Sequence, residues 1–440
     1  MSRNYPKNIE IIPVSEPVTG IAKVPGSKSI GNRALVLAAL GTDQGPCTLT
    51  GLLDSEDTRV MVDSLQRLGF EVLVDWEACS ATLSRPKDSD FSRIIPAEKA
   101  DLFVQNSGTT MRFVTAMCAL GHGAYRLDGN ARMRERPIAD LLDALRGLGI
   151  EANGTQPNDY PPLEISSRGM PGGKVSMRAN TSSQFLSGLL LSAPRSLSPL
   201  EITLEGTMVS EPYVEMTVRM LREWGYQIEK TNSYWHIPAP QKTQISQYAI
   251  EPDASAASYF WAAAALTGGD ITIPGLGFDS LQGDVQFVRA LEQMGARINE
   301  TPNGIRVQGK SLNGIEIDMN SISDTVMTLG VVACFAQGPT TIRNVGHIRH
   351  KETDRISALA NELGKIGAHV TTTEEGLVIT PPCPGQALHG ARIHTYDDHR
   401  MAMSLSLAGL LIPGIVIEDP GCVRKTYPGF FEDLEKLRNA

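Results

Sequence analysis

Lysine and arginine side chains are concentrated beside the predicted starts of helices in this chain. They are Lys28, Arg33, Arg112, Arg136, Lys351, Arg355, Arg400 and Lys425. The start of a helix carries partial positive charge, which disfavours a cation there. Repeating this placement in an acidic protein therefore indicates a site for anionic ligands. Arginine suits that use because its planar guanidinium binds carboxylate and phosphate through two hydrogen bonds. Taken one at a time, each of these side chains is also typical of a solvated surface.

Two carboxylates stand among these basic residues: Asp324 in the segment SDTVM (323–327) and Glu352 in KETDR (351–355). In a site built for anions an acid is costly unless it transfers protons, so we interpret both as acid/base groups. Simpler interpretations stay open at this point. Asp324 could cap the helix that follows it, and Glu352 could pair with Arg355 three residues later.

Six polar segments introduce stretches rich in apolar and small residues, which predict buried helices. Each segment begins with a residue type that caps helix N-termini. The segments are 26–33 (GSKSIGNR), 106–112 (NSGTTMR), 180–185 (NTSSQF), 253–258 (DASAAS), 323–327 (SDTVM) and 397–401 (DDHRM). Unpaired N–H groups at a helix start bind anions, so six such starts at equivalent places would form an anion-binding surface. For any single segment, a role as a cap alone is the alternative.

A weak internal repeat organises the whole chain. An amphipathic helical stretch ending in glycine and followed by an extended run recurs, with its glycine at Gly69, Gly149, Gly225, Gly295 and Gly367. A shorter sixth copy, FFEDLEKL, lies near the end. These stretches alternate with the buried helices and with short strand-like runs, so each unit is predicted as strand, helix, strand, helix, strands. The prediction is an α/β fold of six units in two similar domains.

Composition limits the class of protein. A chain of 440 residues exceeds what one core usually supports, which also predicts two domains. The net charge of −9 argues against a nucleic-acid partner. The longest apolar runs, such as 259–266, are too short to span a bilayer, and the start MSRNYPKNIE lacks the apolar core of a signal peptide. We therefore expect a cytoplasmic protein with no membrane partner.

Cysteine and cofactor motifs give no further chemistry. The six cysteines form no CxxC pair, and we expect buried, reduced thiols. Cys118 lies on the apolar face of a predicted helix, which favours a core position over a nucleophile. The phosphate-binding pattern GxxxxGK[ST] and the dinucleotide pattern GxGxxG are absent, and the histidines lack HExxH spacing. No metal and no cofactor are predicted.

Nine motifs spread in order over the chain resemble those of the 5-enolpyruvylshikimate-3-phosphate synthase family of enolpyruvyl transferases. They are PGSKSIGNR, NSGTTMR, RMRERP, NTSSQFLSGLLL, SEPYVEMT, DASAASYF, HKETDR, YDDHRMAM and CVRKTYPGFF. The resemblance implies an inside-out α/β barrel fold of two similar domains, each with three βαβαββ repeats, and an active site in the interdomain cleft. It assigns residues 23–249 to the first lobe and residues 1–22 plus 250–440 to the second.

The resemblance also implies a reaction and a set of ligands. The family joins phosphoenolpyruvate to the 5-hydroxyl of shikimate 3-phosphate and releases phosphate. The residues implied to hold shikimate 3-phosphate are Ser29, Arg33, Ser182, Ser183, Gln184, Ser210, Tyr213 and Lys351. Those implied to hold phosphoenolpyruvate are Lys28, Gly108, Arg136, Arg355, Arg400 and Lys425. Asp324 would bind the acceptor and take the proton of its 5-hydroxyl, while Glu352 would protonate the methylene carbon and Lys28 would assist at the bridging oxygen. A monomer is expected.

Two positions depart from the family pattern. His347 stands where the family often has asparagine, on the side of the shikimate phosphate, and Phe113 follows Arg112 where many members have proline. The resemblance further implies inhibition by glyphosate in competition with phosphoenolpyruvate, with Gly108 leaving room for the inhibitor.

The sequence disfavours two rival functions. The sister transferase that acts on UDP-N-acetylglucosamine is disfavoured because NARMRERP lacks that enzyme's loop rich in glycine and proline. A non-catalytic binding module of the same pathway is disfavoured by the presence of Lys28, Asp324 and Glu352.

Overall fold

A computed structural model of the protein describes residues 4–178, 181–206, 208–231, 234–383 and 385–438. Contacts between Cα atoms divide the chain into two compact units. The inserted unit is Gly26–Ile250, and the split unit combines Met1–Pro25 with Glu251–Ala440. The assignment of residues 23–249 and 1–22 plus 250–440 to lobes with a common cleft stays a prediction.

The chain begins in the split unit with two short strands, β1 (Asn8–Ile11) and β2 (Thr19–Ile21). It then forms the inserted unit, in which helices and strands alternate. In order these are α1 (Lys28–Gly41), β3 (Cys47–Thr50), α2 (Glu56–Arg67), β4 (Glu71–Asp75), β5 (Ser80–Ser84), β6 (Lys99–Phe103), α3 (Gly108–Cys118), β7 (His122–Asp128), α4 (Ala139–Gly147), β8 (Glu151–Gly154), β9 (Leu163–Arg168), β10 (Gly173–Arg178), α5 (Ser183–Ser192), β11 (Leu200–Glu205), α6 (Glu211–Glu223), β12 (Glu229–Lys230), β13 (Tyr234–Ile237) and β14 (Gln247–Ala249).

The chain returns to the split unit after β14. The elements there follow the same alternation and end in a helix. In order they are α7 (Ala254–Thr267), β15 (Asp270–Ile273), α8 (Phe287–Met294), β16 (Arg297–Thr301), β17 (Gly304–Gln308), β18 (Glu316–Asp318), α9 (Val326–Ala333), β19 (Thr340–Arg343), α10 (Arg355–Lys365), β20 (His369–Thr372), β21 (Leu377–Thr380), β22 (Arg392–Ile393), α11 (His399–Ser406), β23 (Ile415–Glu418) and α12 (Phe430–Arg438).

The sheets of the inserted unit share one strand order. Within its described residues they run β14-β3-β5-β4, β6-β7-β9-β8 and β10-β11-β13-β12. The first two strands of each sheet are parallel, and the remaining pairs are antiparallel. A parallel pair needs a crossover connection, which α3 and α5 supply, whereas an antiparallel pair closes through a hairpin. Each sheet therefore corresponds to one βαβαββ repeat.

The split unit repeats this pattern. Its sheets run β2-β15-β17-β16 and β18-β19-β21-β20, with a three-stranded sheet β1-β23-β22. In the last sheet β1 pairs antiparallel with β23, from Asn8 opposite Glu418 to Ile11 opposite Ile415. The strands from the first 25 residues therefore complete two sheets built by the second half of the chain.

The helices with apolar residues on all sides lie at the centre of each unit. In the inserted unit α1, α3 and α5 contact one another, and in the split unit α9 contacts both α7 and α11. Every residue of α7 from Ala254 to Ala265 is buried. Such helices are apolar all round because sheets and other helices surround them, which leaves no face for water. The predicted α/β fold with central helices is confirmed.

The helix ends follow the chemistry predicted from the sequence. The five repeat glycines have positive φ angles, from +81° at Gly149 to +119° at Gly295, a conformation that glycine adopts without strain. Side chains cap five of the six buried helices, at Ser27, Ser107, Ser182, Asp253 and Asp398. The exception is α9, whose N-cap residue Thr325 makes no side-chain capping bond. Asn180, the first residue of the third polar segment, lies outside the described residues.

The expectation of buried thiols is wrong for two cysteines. Cys47, Cys118, Cys334 and Cys422 are buried, but Cys79 and Cys383 are exposed. Cys79 lies between β4 and β5 and Cys383 beyond β21, and such short connections run over the surface. Burial raises the pKa of the Cys118 thiol, as expected of a core residue. Among the described helices, none combines the length and the apolar character needed to cross a membrane.

Candidate active site

Arg355 is the centre of an ion cluster in the split unit. It is the first residue of α10, and its side chain is only 1% exposed. Its guanidinium donates to both oxygens of Asp398, at 2.8 and 3.2 Å, to Asp324 Oδ1 at 3.1 Å and to Glu352 Oε2 at 2.9 Å. Burial alone would lower the pKa of Arg355, but the three carboxylates outweigh it and raise the pKa above its usual value. The cluster fixes three acids around one buried cation.

Asp324 is held by three cations. Its Oδ2 atom accepts from Arg400 Nη2 at 2.7 Å, its Oδ1 atom accepts from Arg355, and Lys351 Nζ lies 3.6 Å away. The residue comes just before the N-cap of α9, where no side-chain capping bond is made. The capping role and the proton-transfer role of Asp324 both stay predictions.

Glu352 forms the ion pair that the sequence suggested and faces a second cation as well. Besides Arg355 Nη2, its carboxylate has Lys425 Nζ at 3.8 Å, and both side chains are less than a tenth exposed. The structure thus brings Asp324, Glu352, Lys351, Arg355, Arg400 and Lys425 into one connected cluster.

Asp398 belongs to this cluster but was not predicted as a site residue. It is fully buried, pairs with Arg355 and caps α11 by accepting from the backbone N–H of Arg400 at 2.9 Å. Its position two residues before Arg400, at a helix start, was the available signal. A buried charge needs an opposite charge beside it, so Asp398 also explains how Arg355 can be buried.

His347 lies next to the same cluster. It belongs to a 3₁₀ turn, Gly346–His350, that precedes Lys351. Burial, and then the positive charge of Lys351, lower the pKa of His347 to about 4. The imidazole is therefore neutral near pH 7, and it can donate one hydrogen bond to an anion without adding charge.

Lys28 is the first residue of α1 in the inserted unit. Its Nζ atom lies 3.4 Å from Asp57 Oδ2, and both side chains are largely buried. Asp57 sits in the first turn of α2, and nothing in its sequence surroundings distinguished it as a partner. The pair shows how a cation is tolerated at a helix start, since a carboxylate from the next helix offsets its charge.

Two guanidinium groups flank Gly108 at the start of α3. Arg112 Nη1 donates to the carbonyl of Gly108 at 3.1 Å, and Arg136 Nη1 donates to the carbonyl and side-chain oxygens of Asn106 at 3.2 and 3.3 Å. A Cβ atom at Gly108 would lie 2.6 Å from Arg136 Nη2 and 2.7 Å from Arg112 Nη1. Two positive side chains at a helix N-terminus form an environment that favours an anion.

Arg33 is buried among hydrogen-bond acceptors of the inserted unit, and its role as a substrate ligand stays a prediction. It is 2% exposed, and its guanidinium donates to Thr217 Oγ1 and the Ser29 carbonyl at 2.8 Å and to the Tyr213 carbonyl at 3.0 Å. It also lies over the ring of Phe113, 5.0 Å from the centroid. Burial lowers the pKa of Arg33 to about 10. Arg33 thus ties α1 to α6 inside the inserted unit.

The remaining predicted ligands lie at the starts of α1, α5 and α6. Ser182 caps α5 by accepting from the N–H of Gln184 at 3.3 Å, and Ser183 is the buried first residue of that helix. Ser210 is the buried N-cap of α6, with a φ of +53°, and Tyr213 follows within the first turn. Ser29 and Gln184 are half-buried.

Together the repeats and the charged helix starts define an α/β enzyme for anionic substrates, and the comparisons with known proteins identify its family. The model of the EPSP synthase (3-phosphoshikimate 1-carboxyvinyltransferase) family matches residues 12–434. The chain belongs to this family. The motif resemblance is therefore confirmed, whereas the individual roles of the site residues stay predictions.

Named relatives agree with the family assignment. A 3-phosphoshikimate 1-carboxyvinyltransferase of Marinomonas sp. is 43% identical over 434 residues, covering 98% of this chain and all of the relative. One from Trichormus variabilis is 44% identical, covering 98% and 99%. Among solved structures, EPSP synthase from Acinetobacter baumannii aligns with a TM-score of 0.81 at 26% identity and covers 98% of each chain.

Proposed function

We propose that this chain transfers the enolpyruvyl group of phosphoenolpyruvate to the 5-hydroxyl of shikimate 3-phosphate, with Asp324 and Glu352 as the proton-transfer groups. The observation that carries the assignment of roles is the ion cluster of the split unit. It joins three acids and four cations in one connected network. Fixed cations of this kind stabilise charge that develops on a reacting anion without reorganising solvent.

The reaction is an addition followed by an elimination. In the addition, the 5-hydroxyl oxygen bonds to C2 of phosphoenolpyruvate, its proton passes to Asp324, and C3 receives a proton from Glu352. In the elimination, C3 returns a proton to Glu352, and the double bond re-forms as the bond from C2 to the phosphate oxygen breaks. The bonding electron pair leaves with that oxygen, where Lys28 supplies a proton. The products are the enol ether and phosphate.

The cation contacts of Asp324 fit this order of events. Only the carboxylate form accepts a proton, and neighbouring cations stabilise that form. Arg355 and Arg400, which contact Asp324 here, are also proposed ligands of phosphoenolpyruvate. When Arg355 and Arg400 bind phosphoenolpyruvate, they interact with its negative charges as well as with Asp324. Each guanidinium then stabilises the Asp324 carboxylate less, which leaves that carboxylate freer to take the hydroxyl proton.

The remaining ligands are proposed as the sequence assigned them, in two groups. Ser29, Arg33, Ser182, Ser183, Gln184, Ser210, Tyr213 and Lys351 would hold shikimate 3-phosphate. Gly108, Arg136 and Lys425 would join Lys28, Arg355 and Arg400 around phosphoenolpyruvate. His347 would donate to the phosphate of the acceptor through its neutral imidazole.

The test is phosphate release on mixing the protein with shikimate 3-phosphate and phosphoenolpyruvate. Replacing the acceptor with UDP-N-acetylglucosamine should give no release. Release only with the nucleotide sugar would identify the sister activity. Binding of both substrates without any release would identify a binding module.

The variant Asp324→Asn tests the assigned base. It keeps the shape of the side chain and removes its basicity, so turnover should fall by about a hundredfold while shikimate 3-phosphate affinity changes only a few fold. Asp279→Asn, at an exposed position of the same unit, is the matched control. Normal turnover in Asp324→Asn would place the base elsewhere.

A further inference from the structure

The segment that leads into α11 has a strained backbone. Tyr396 and Asp397 have φ angles of +57° and +53°, so two successive residues with side chains adopt the left-handed conformation. This conformation costs free energy for residues other than glycine and persists only where the surroundings impose it. The next residue is Asp398, which caps α11 and pairs with Arg355.

Helix α10 holds this segment at two points. Arg355, its first residue, binds Asp398. Glu362 is a fully buried carboxylate of the same helix. It accepts from Tyr396 Oη at 2.8 Å and from the backbone N–H of His394 at 3.0 Å. Burial, with the bond to Glu362, raises the pKa of the Tyr396 hydroxyl, which therefore stays a donor.

The path of this segment determines where the cations of the cluster lie. Asp398 accepts from the N–H of Arg400, and the Arg400 guanidinium donates to Asp324. A small rotation at residues 396–397 would move Asp398 and Arg400 together, since the two are tied by the capping bond. Arg355 would lose its bidentate partner in the same movement.

We propose that Glu362 and Tyr396 are positioning residues for the transfer reaction, because their hydrogen bond fixes the strained turn that orients Asp398, Arg355 and Arg400. The inference rests on the proposed function, in which Arg355 and Arg400 bind phosphoenolpyruvate. Neither Glu362 nor Tyr396 is assigned a contact with substrate.

Tyr396→Phe is the variant of choice. Without the hydroxyl, Glu362 keeps the N–H of His394 and the ammonium of Lys365, at 2.7 Å, so its buried charge stays paired and the protein should fold. The control is Tyr248→Phe, which removes an equivalent bond to Glu223 Oε2, also 2.8 Å, from the inserted unit.

Steady-state kinetics and amide hydrogen exchange are measured for the parent and both variants. In Tyr396→Phe the Michaelis constant for phosphoenolpyruvate should rise about tenfold, which corresponds to roughly 1.4 kcal/mol, with a smaller change for shikimate 3-phosphate. Exchange at the first turn of α11 should also become faster. Tyr248→Phe should match the parent in both measurements.

The two ways of failing are distinguishable. If the parent is active and Tyr396→Phe has the same kinetic constants as the parent, the inference is overturned. This holds even if amide exchange in α11 is faster, since the hydrogen bond between Tyr396 and Glu362 would then be merely structural. Equal weakening of both substrates would likewise overturn it. A parent that releases no phosphate would overturn the proposed function itself, and this is seen before any variant is made.

Discussion

At the scale of single residues, the sequence identified cations in unfavourable places, and the structure shows what makes them tolerable. Arg355 is buried against three carboxylates, and Lys28 is offset by Asp57. Removing one partner from such a set is costly because it leaves a buried charge unpaired. The cations at these helix starts are therefore held in place before any ligand arrives.

Gly108 is the residue at which one added methyl group should change ligand selection. A side chain at Gly108 is expected to clash with glyphosate. It would also clash with the protein itself, because a Cβ atom there would lie within 2.6–2.7 Å of the guanidinium groups of Arg136 and Arg112. Gly108→Ala must therefore displace both Arg136 and Arg112. We expect the inhibition constant for glyphosate to rise tenfold or more, about 1.4 kcal/mol, and the Michaelis constant for phosphoenolpyruvate to rise with it.

Gly147→Ala is the matched control for this prediction. Gly147 is also helical and in the inserted unit, but a Cβ there meets only Val175 Cγ2, at 3.4 Å. Inhibition assays on the parent and the two variants are sufficient. The placement of Gly108 would be refuted by a parent that resists glyphosate, or by a Gly108→Ala protein as sensitive as its parent.

At the scale of elements, Arg33 shows how neighbouring helices are held together. The sequence placed Arg33 among the substrate ligands, whereas the structure buries it between α1 and α6 with neutral oxygen acceptors. A further acceptor, Ser187 Oγ of α5, lies at 3.3 Å. One guanidinium thus connects three helices whose starts carry other predicted ligands.

Arg33→Lys should destabilise the protein in the absence of any substrate. A lysine ammonium cannot reproduce the fork of four hydrogen bonds, so buried acceptors lose their donors and the free energy of unfolding should fall by about 2–4 kcal/mol. Denaturant unfolding measures this. Arg59→Lys is the control. Arg59 lies on α2 and forms a half-exposed ion pair with Asp54, so this variant should change the free energy of unfolding by less than about 0.5 kcal/mol. Unchanged stability in Arg33→Lys, with loss of shikimate 3-phosphate affinity, would restore a purely ligand role.

At the scale of the whole molecule, each unit is closed by strands from distant parts of the chain. β14 completes the first sheet of the inserted unit, and β1 and β2 complete two sheets of the split unit. Every strand named here pairs with strands of its own unit. Each unit therefore has its own hydrogen-bonded framework.

The proposed ligands of shikimate 3-phosphate come from both units, Ser29 and Ser182 from one and Asp324 and Lys351 from the other. A ligand that binds groups of both units favours the arrangement in which all of them reach it. Small-angle X-ray scattering should therefore give a smaller radius of gyration with saturating shikimate 3-phosphate than without it. An unchanged radius, with binding verified by calorimetry, would contradict this prediction.

The sequence by itself determined the repeat, the helix caps, the glycine helix ends and the set of charged residues. These features depend on neighbours within a few positions, where periodicity and capping chemistry are local. Only the tertiary structure decided which charges are paired. Asp398 and Arg355 are 43 positions apart in the sequence, and Arg33 and Thr217 are 184 apart. No local pattern could therefore show that Arg355 pairs with carboxylates whereas Arg33 binds neutral oxygen acceptors. Ion pairing depends on distance in space and on burial, and both are set by how the repeats pack.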